Sequence, residues 1–235
     1  MALTVGSLFS GIGGFDLGFE RAGFAIKWQV EKDARKRAVL AERWPDVERF
    51  EDVKAVEPGE LAACDVWTAG FPCEDNASCG RRAGLAGAQS GLWFEVPRLL
   101  RGARDKPRWL LLENPPGVLK RGLERILADL AGLGFDAEWD VLPAAAFGAA
   151  QLRARIWILA YPCGQRESAD DTIFAGRAEF DGDGRWPAEP ALDRMADGVP
   201  GWLVGALGDA ACPPITQWIA ERIKEAEGMR HGSGD

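Results

Sequence analysis

Three groups of side chains in this 235-residue chain have the types and spacing to do chemistry together. The first is Cys73 in "TAGFPCEDNASCGRR", a thiol behind a proline at the end of an apolar run. A thiol is only about a few per cent ionised at neutral pH yet strongly nucleophilic, and Arg81, Arg82 or Arg155 nearby would raise that fraction. The ordinary alternative is a small buried hydrophobe. The polar, bendable surroundings of Gly70, Pro72, Asn76, Ser78 and Gly80 count against it. The second group is "ENPP", where Glu113 closes the apolar run Trp109 to Leu112. A carboxyl placed there is partly buried with a raised pKa, and once protonated it donates to a ring nitrogen while accepting from an exocyclic amine. Its bland alternative is a helix-capping acid. The third is "QLRAR", in which Gln151, Arg153 and Arg155 are spaced by two. On an extended segment they share one side and offer an amide and two guanidiniums to a phosphate or carbonyl oxygen. Alone, the segment also reads as an edge strand with its polar side in water.

A fourth feature suggests a bound cofactor. In "SLFSGIGGFDLG", glycines 11, 13 and 14 let backbone N–H groups approach a ligand at a helix N-terminus. Glu31 follows about 20 residues later at the end of a second apolar run, where an acid accepts from ribose hydroxyls. Asp52, in "RFEDVKAV", could end a third short strand and touch an adenine amino group. An adenosine-containing cofactor fits all three positions. Nicotinamide, flavin and S-adenosylmethionine remain equally compatible with them.

These groups need a scaffold that brings strand ends to one edge. Apolar runs at 3–9, 25–31, 64–70, 107–114 and 155–162 alternate with helical stretches at 13–23, 33–43, 92–104 and 119–133. That alternation predicts an α/β fold, Rossmann-like, with a mostly parallel twisted sheet flanked by helices. "FDAEWDVL" (135–142) alternates as a further strand does, with an antiparallel orientation expected. Residues 163–198 are rich in Gly, Asp and Arg without sustained period and predict irregular structure. A helix returns at Pro213, with Ile215, Trp218, Ile219 and Ile223 on one face.

Composition narrows the function. The single histidine, His231, sits in the tail "MRHGSGD", which removes His-based hydrolase triads and zinc sites with histidine ligands; no metal is expected. Five cysteines without dense spacing point to reduced thiols in the cytoplasm. The N-terminus lacks the pattern of a signal peptide, and no apolar stretch reaches the roughly 18 residues that span a bilayer. Net charge is −8, yet residues 76–125 hold ten basic and four acidic side chains, a local face fit for a polyanion.

"LFSGIGGFDLG", Glu31, Asp52, "GFPC", "ENPP", "QLRARIWIL" and "LGDAACPPI" occur in the order found in DNA (cytosine-5) methyltransferases, and the chain resembles that family over most of its length. The resemblance implies a class I methyltransferase that binds double-stranded DNA, flips out a cytosine and methylates its carbon 5 from S-adenosylmethionine. It assigns nucleophilic attack on carbon 6 to Cys73. Glu113 would hold the ring nitrogen and amino group, Arg155 the ring carbonyl oxygen, and Arg153 a loop or phosphate. Phe9, Ser10, Gly11, Gly13, Glu31, Asp52, Pro72, Leu92 and Asp209 would contact the cofactor. Arg81, Arg82 and Gln151 would contact nucleic acid, the arginines from a mobile flap at 74–90. In domain terms, 1–162 and 203–235 form the catalytic, cofactor-binding part, and 163–202 a reduced target-recognition region.

The chain departs from the family in places. Glu74 stands for the usual Gln, Ala77 for Ser and Asp209 for Asn. The target-recognition region is far shorter than usual, and between 163 and 200 it carries four basic against nine acidic residues. That is poor equipment for gripping duplex DNA. Recognition would then be relaxed, or an accessory partner or the basic 76–125 face supplies the grip. The compactness resembles phage-encoded forms, which would work in a host cytoplasm. A monomeric enzyme is expected, as in restriction–modification. The competing readings are a tRNA cytosine methyltransferase of the same fold, a catalytically silent nucleic-acid-binding homologue, and a Rossmann-type oxidoreductase.

Overall fold

The computed structural model describes residues 2–72, 90–149, 152–165, 172–174 and 200–232. Seven strands form one sheet: β1 (Thr4–Leu8), β2 (Ala25–Val30), β3 (Glu48–Phe50), β4 (Val66–Ala69), β5 (Trp109–Asn114), β6 (Phe135–Pro143) and β7 (Ala154–Pro162). Their order is β3-β2-β1-β4-β5-β7-β6. Strands β1 to β5 pair in parallel, and β7 runs antiparallel between β5 and β6. The sequence pattern had assigned the antiparallel orientation to 135–142. It is β7 that reverses, so β6 points the same way as the parallel strands. The strand order reverses direction between β1 and β4, the crevice where such sheets bind ligands.

The central strands are apolar on both faces because both are covered. In β5, Leu110 and Leu112 enter one core with Val96, Leu99 and Ile126, whereas Trp109 and Leu111 enter the other with Phe15, Phe19 and Ile219. Helices α3 (Glu95–Gly102) and α5 (Leu123–Ala131) cover the first face. Between β5 and α5, α4 (Val118–Arg121) stops at Gly122, which breaks the single helix expected over 119–133. Ile173 and Phe174 are buried in the second core, so part of the segment expected to be irregular joins the main body.

The second face is covered by α1 (Gly14–Arg21) and a C-terminal helix; α2 (Ala34–Arg43) follows β2, and α6 (Gly201–Asp209) precedes that helix, α7 (Pro213–Gly232). The α1–α7 contact needs glycine. A Cβ on Gly18 would fall 1.8 Å from Thr216 Oγ1, and one on Gly14 would fall 2.3 Å from the Ala211 carbonyl oxygen. The backbones therefore touch, and Thr216 Oγ1 donates to the Gly14 carbonyl at 3.2 Å. Farther along, buried Glu227 accepts from Trp109 Nε1 at 2.8 Å and pairs with Arg108. These contacts carry residues 209–212 to the mouth of the glycine loop. Among the described residues, no helix is long and apolar enough to cross a membrane.

Candidate active site

A cavity of about 660 Å³ opens at the carboxyl ends of the parallel strands. Phe9, Ser10, Gly11, Glu31, Asp52, Pro72, Leu92 and Asp209 line it, together with Glu113 and Arg155. Most of the residues singled out by sequence thus meet in one space. Cys73, Arg81, Arg82 and Gln151 lie outside the described residues, as does most of the expected flap. Pro72, directly before Cys73, is at the wall.

At one end the turn after β1 is shaped for a ligand. Phe9 has a φ of 55°, a costly conformation for a bulky side chain. Gly11 follows with a φ of 59°, and a Cβ there would meet nothing within 4 Å, so the loop presents open backbone to the cavity. Glu31 fixes this turn: its Oε2 accepts from Gly11 N and its Oε1 from Asp33 N, both at 2.8 Å. Each oxygen keeps a second lone pair for a ligand hydroxyl. Ser10 turns inward, donating from Oγ to the Ser7 carbonyl at 2.9 Å. Asp52 stands two residues past β3, not at its last residue. Its carboxyl is held below the usual carboxylate range by the backbone N–H of Lys54 and then by Lys32, at 3.0 Å each. Gly13 does not reach the cavity. Its φ of 88° starts α1, and a Cβ there would lie 2.4 Å from the Trp44 ring, so its freedom serves helix entry and packing.

The other end is built from β4, β5 and β7. Glu113 is 6% exposed. Burial raises its pKa to about 7, against the opposing pull of Arg155 and Arg153, while Asp209 adds to the rise. Arg155 Nε lies 2.9 Å from Glu113 Oε1, so the carboxyl is paired with a guanidinium at hydrogen-bond distance. Near Glu113 Oε2 the wall is Gly70, whose missing Cβ would sit 3.6 Å from that oxygen and 3.3 Å from the Phe15 ring. Gly70, Phe15 and Glu113 thus pack closely along this side of the cavity.

Arg153 is half-buried behind this wall, and its buried Nε and Nη2 have no hydrogen-bond partner among the described residues. Burial first, and the Arg155 charge second, lower its pKa. The sequence reading missed Asn114, which is buried and donates from Nδ2 to the Phe71 carbonyl at 3.1 Å. That bond ties the end of β5 to the turn leading to Pro72, bringing "ENPP" alongside "FPC". Its signal was present, since Asn114 is a second polar residue closing an apolar run. Phe15 and Lys36 were also missed as cavity residues; nothing in their local pattern separates them from helix surface.

The sheet order is that of the Rossmann-like class I methyltransferase fold. The methyltransferase Dnmt2 of S. pombe superposes with a TM-score of 0.62 at 19% identity, over 78% of this chain and 58% of that one. The family model described as C-5 cytosine-specific DNA methylase matches residues 3–180, and the chain belongs to that family. It is similar to the type II methyltransferase M2.BsuMI of Bacillus subtilis, 33% identical over 190 residues, which cover 78% of this chain and 48% of that protein. It is also similar to M.NlaIV of Neisseria lactamica, 33% identical over 168 residues, which cover 64% of this chain and 39% of the other. The match thus spans half or less of these relatives' length.

Proposed function

We propose that the protein transfers a methyl group from S-adenosylmethionine to carbon 5 of a flipped-out cytosine in double-stranded DNA, acting as a monomer in the cytoplasm. The observation that carries this reading is one cavity holding, at one end, an amide-fixed acid and an open glycine turn, and at the other a buried carboxyl paired with arginine. The donor fits the first end on its chemistry: Gly11 leaves room for backbone approach, and Glu31 and Asp52 supply acceptors for ribose hydroxyls and an adenine amine. When bound, S-adenosylmethionine supplies an electrophilic methyl group.

The chain's own residues do the rest. The Cys73 thiolate forms a bond to carbon 6 of the base, and the electron pair released runs through the ring to the nitrogen that Glu113 protonates. Arg155 leaves its ion pair to hold the ring carbonyl oxygen, which also keeps Glu113 neutral while it donates. Carbon 5 is then nucleophilic and takes up the methyl group, leaving the donor's sulfur as a thioether. The carbon 5 proton passes to water as the Cys73 sulfur–carbon bond breaks, and the ring-nitrogen proton returns to Glu113, which restores the Cys73 thiolate and the aromatic base. Extruding the base costs about a few kcal/mol of stacking, which contacts from Arg81, Arg82 and Gln151 would offset.

The test is to incubate the protein with S-adenosylmethionine and a duplex containing 5-fluorocytosine, which blocks the final proton loss. A denaturation-resistant protein–DNA adduct is expected, absent in Cys73→Ser because an alcohol without a neighbouring base is a far weaker nucleophile. No adduct from the wild type, with the donor binding normally, overturns the mechanism. The acidic excess at 163–200 would disfavour duplex DNA and tRNA alike, so an assay must separate duplex DNA from the one rival substrate, tRNA. Methyl transfer to bulk tRNA but not to any cytosine-containing duplex would establish it.

A further inference from the structure

We propose that Trp93 and Asp129 are positioning residues for the nucleophile: their hydrogen bond fixes the Trp93 ring against Phe71 and so sets where the chain leaving Pro72 delivers Cys73. The inference rests on the function proposed above, in which Cys73 attacks the base. It adds two residues that do not line the cavity.

The contacts run in sequence from a buried helix to the turn. Helix α5 is seated in the first core through Leu123, Ile126 and Leu130. Its Asp129 side chain is 12% exposed and takes two donors. Arg125 Nε donates to both carboxylate oxygens at 3.0 Å, and Trp93 Nε1 donates to Oδ2 at 2.9 Å. The Arg125 guanidinium also lies over the ring of Phe94, 5.2 Å from its centroid. One helix thus holds two successive aromatic side chains. Trp93 is fully buried, and its ring lies 5.3 Å from that of Phe71, tilted by 49°. Phe71 is buried too, and its carbonyl accepts from Asn114 Nδ2 at 3.1 Å.

Backbone chemistry carries the constraint one residue further. A residue before proline is confined to extended conformations, and the proline ring locks its own φ. With the Phe71 side chain held by Trp93 and its carbonyl by Asn114, the ψ torsion of Pro72 is the main freedom left before position 73. The choice of residues fits an anchor. A phenylalanine at 93 would fill the core without needing a partner, whereas a buried indole N–H must find one. Here it meets a charged acceptor, which makes a hydrogen bond about twice as strong as a neutral one does. The Arg125–Asp129 pair, with Arg125 59% exposed, adds little stability alone. Its effect is to hold Asp129 in place for Trp93.

The test is the rate at which the protein captures a 5-fluorocytosine duplex in single turnover at saturating S-adenosylmethionine. Titration with S-adenosylhomocysteine and urea unfolding midpoints accompany it. Trp93→Phe keeps the ring and removes the N–H, while Arg125 still satisfies Asp129. It is expected to slow capture about tenfold, with S-adenosylhomocysteine affinity and the half-saturating duplex concentration within about twofold. Asp129→Asn, whose side-chain oxygen can still accept from the indole, is expected to keep most of the rate, and Asp129→Leu to lose as much as Trp93→Phe. The double variant Trp93→Phe, Asp129→Leu should be no slower than either single one, because both remove the same contact. Capture by Trp93→Phe at the wild-type rate, whatever its urea midpoint, overturns the assignment and leaves the proposed function standing. Equal losses in capture and in S-adenosylhomocysteine affinity do the same. A wild-type protein that binds S-adenosylhomocysteine but forms no adduct overturns the proposed function, and the assignment with it.

Discussion

Two acids at strand ends, Glu31 after β2 and Glu113 in β5, face one cavity and are treated oppositely by the fold. Glu31 receives a backbone N–H on each oxygen and holds the glycine turn in shape. Glu113 is buried, pairs with an arginine at 2.9 Å, and sits near neutral pKa. The first is finished as a structural element and needs only spare lone pairs to take a ligand. The second is buried beside a cation, and a group poised near neutrality is what proton transfer needs. On the proposed function, binding is preorganised at one end of the cavity and proton transfer is prepared by burial at the other.

The sharpest way to break this contrast is at Glu113. Glu113→Gln should slow methyl transfer by about 10²-fold or more, read in single-turnover assays. Because the wild-type carboxyl loses its proton as pH rises through about 7, kcat/KM should fall on the alkaline side, and that limb should be missing in the variant. Near-normal rates would reduce Glu113 to a structural acid.

Glu31→Gln probes the other side. It sets an NH2 group against one of two backbone donors, and a cost of about 1–3 kcal/mol in folding stability is expected, with weaker binding of S-adenosylhomocysteine. Urea unfolding reads the first effect and titration the second. Unchanged stability would mean the turn is held by other contacts.

Asp16 is the exception in the binding half and gives the smallest effect. It is fully buried in α1, with Oδ1 accepting from Gln29 Nε2 at 3.0 Å. Burial lifts its pKa from 3.8 to about 6. Between those values the native state binds more protons than the unfolded one, so stability falls as pH rises through this window. Asp16→Asn should therefore stabilise the protein at pH 8 by on the order of 1 kcal/mol, the gain fading to nothing below about pH 4. Urea midpoints at the two pH values decide it, and a gain that persists in acid would contradict the charge-burial account.

Much of this was legible in the sequence because strand ends and glycine turns are local signals. The apolar runs at 3–9, 25–31, 64–70 and 107–114 fall within a residue or two of the observed strands, which end at Leu8, Val30, Ala69 and Asn114, and the residues at those ends do meet at one edge. What stayed hidden depends on distant partners. Helix α6 carries Gly205 and Gly208 and shows no clear apolar period, so nothing local announced it. Gly13 reads like its neighbour Gly11, and only the Trp44 ring against it tells the two apart. The direction of β7 follows from its pairing with β5 and β6, which no alternation pattern encodes.

The hydrogen bond from Thr216 to Gly14 joins positions 202 residues apart, and with it the far wall of the donor pocket is delivered from late in the chain to a turn made at its start. During synthesis the parallel strands can assemble first, but the cavity stays half-walled until α7 emerges and locks onto α1. A complete cavity is thereby tied to that docking step.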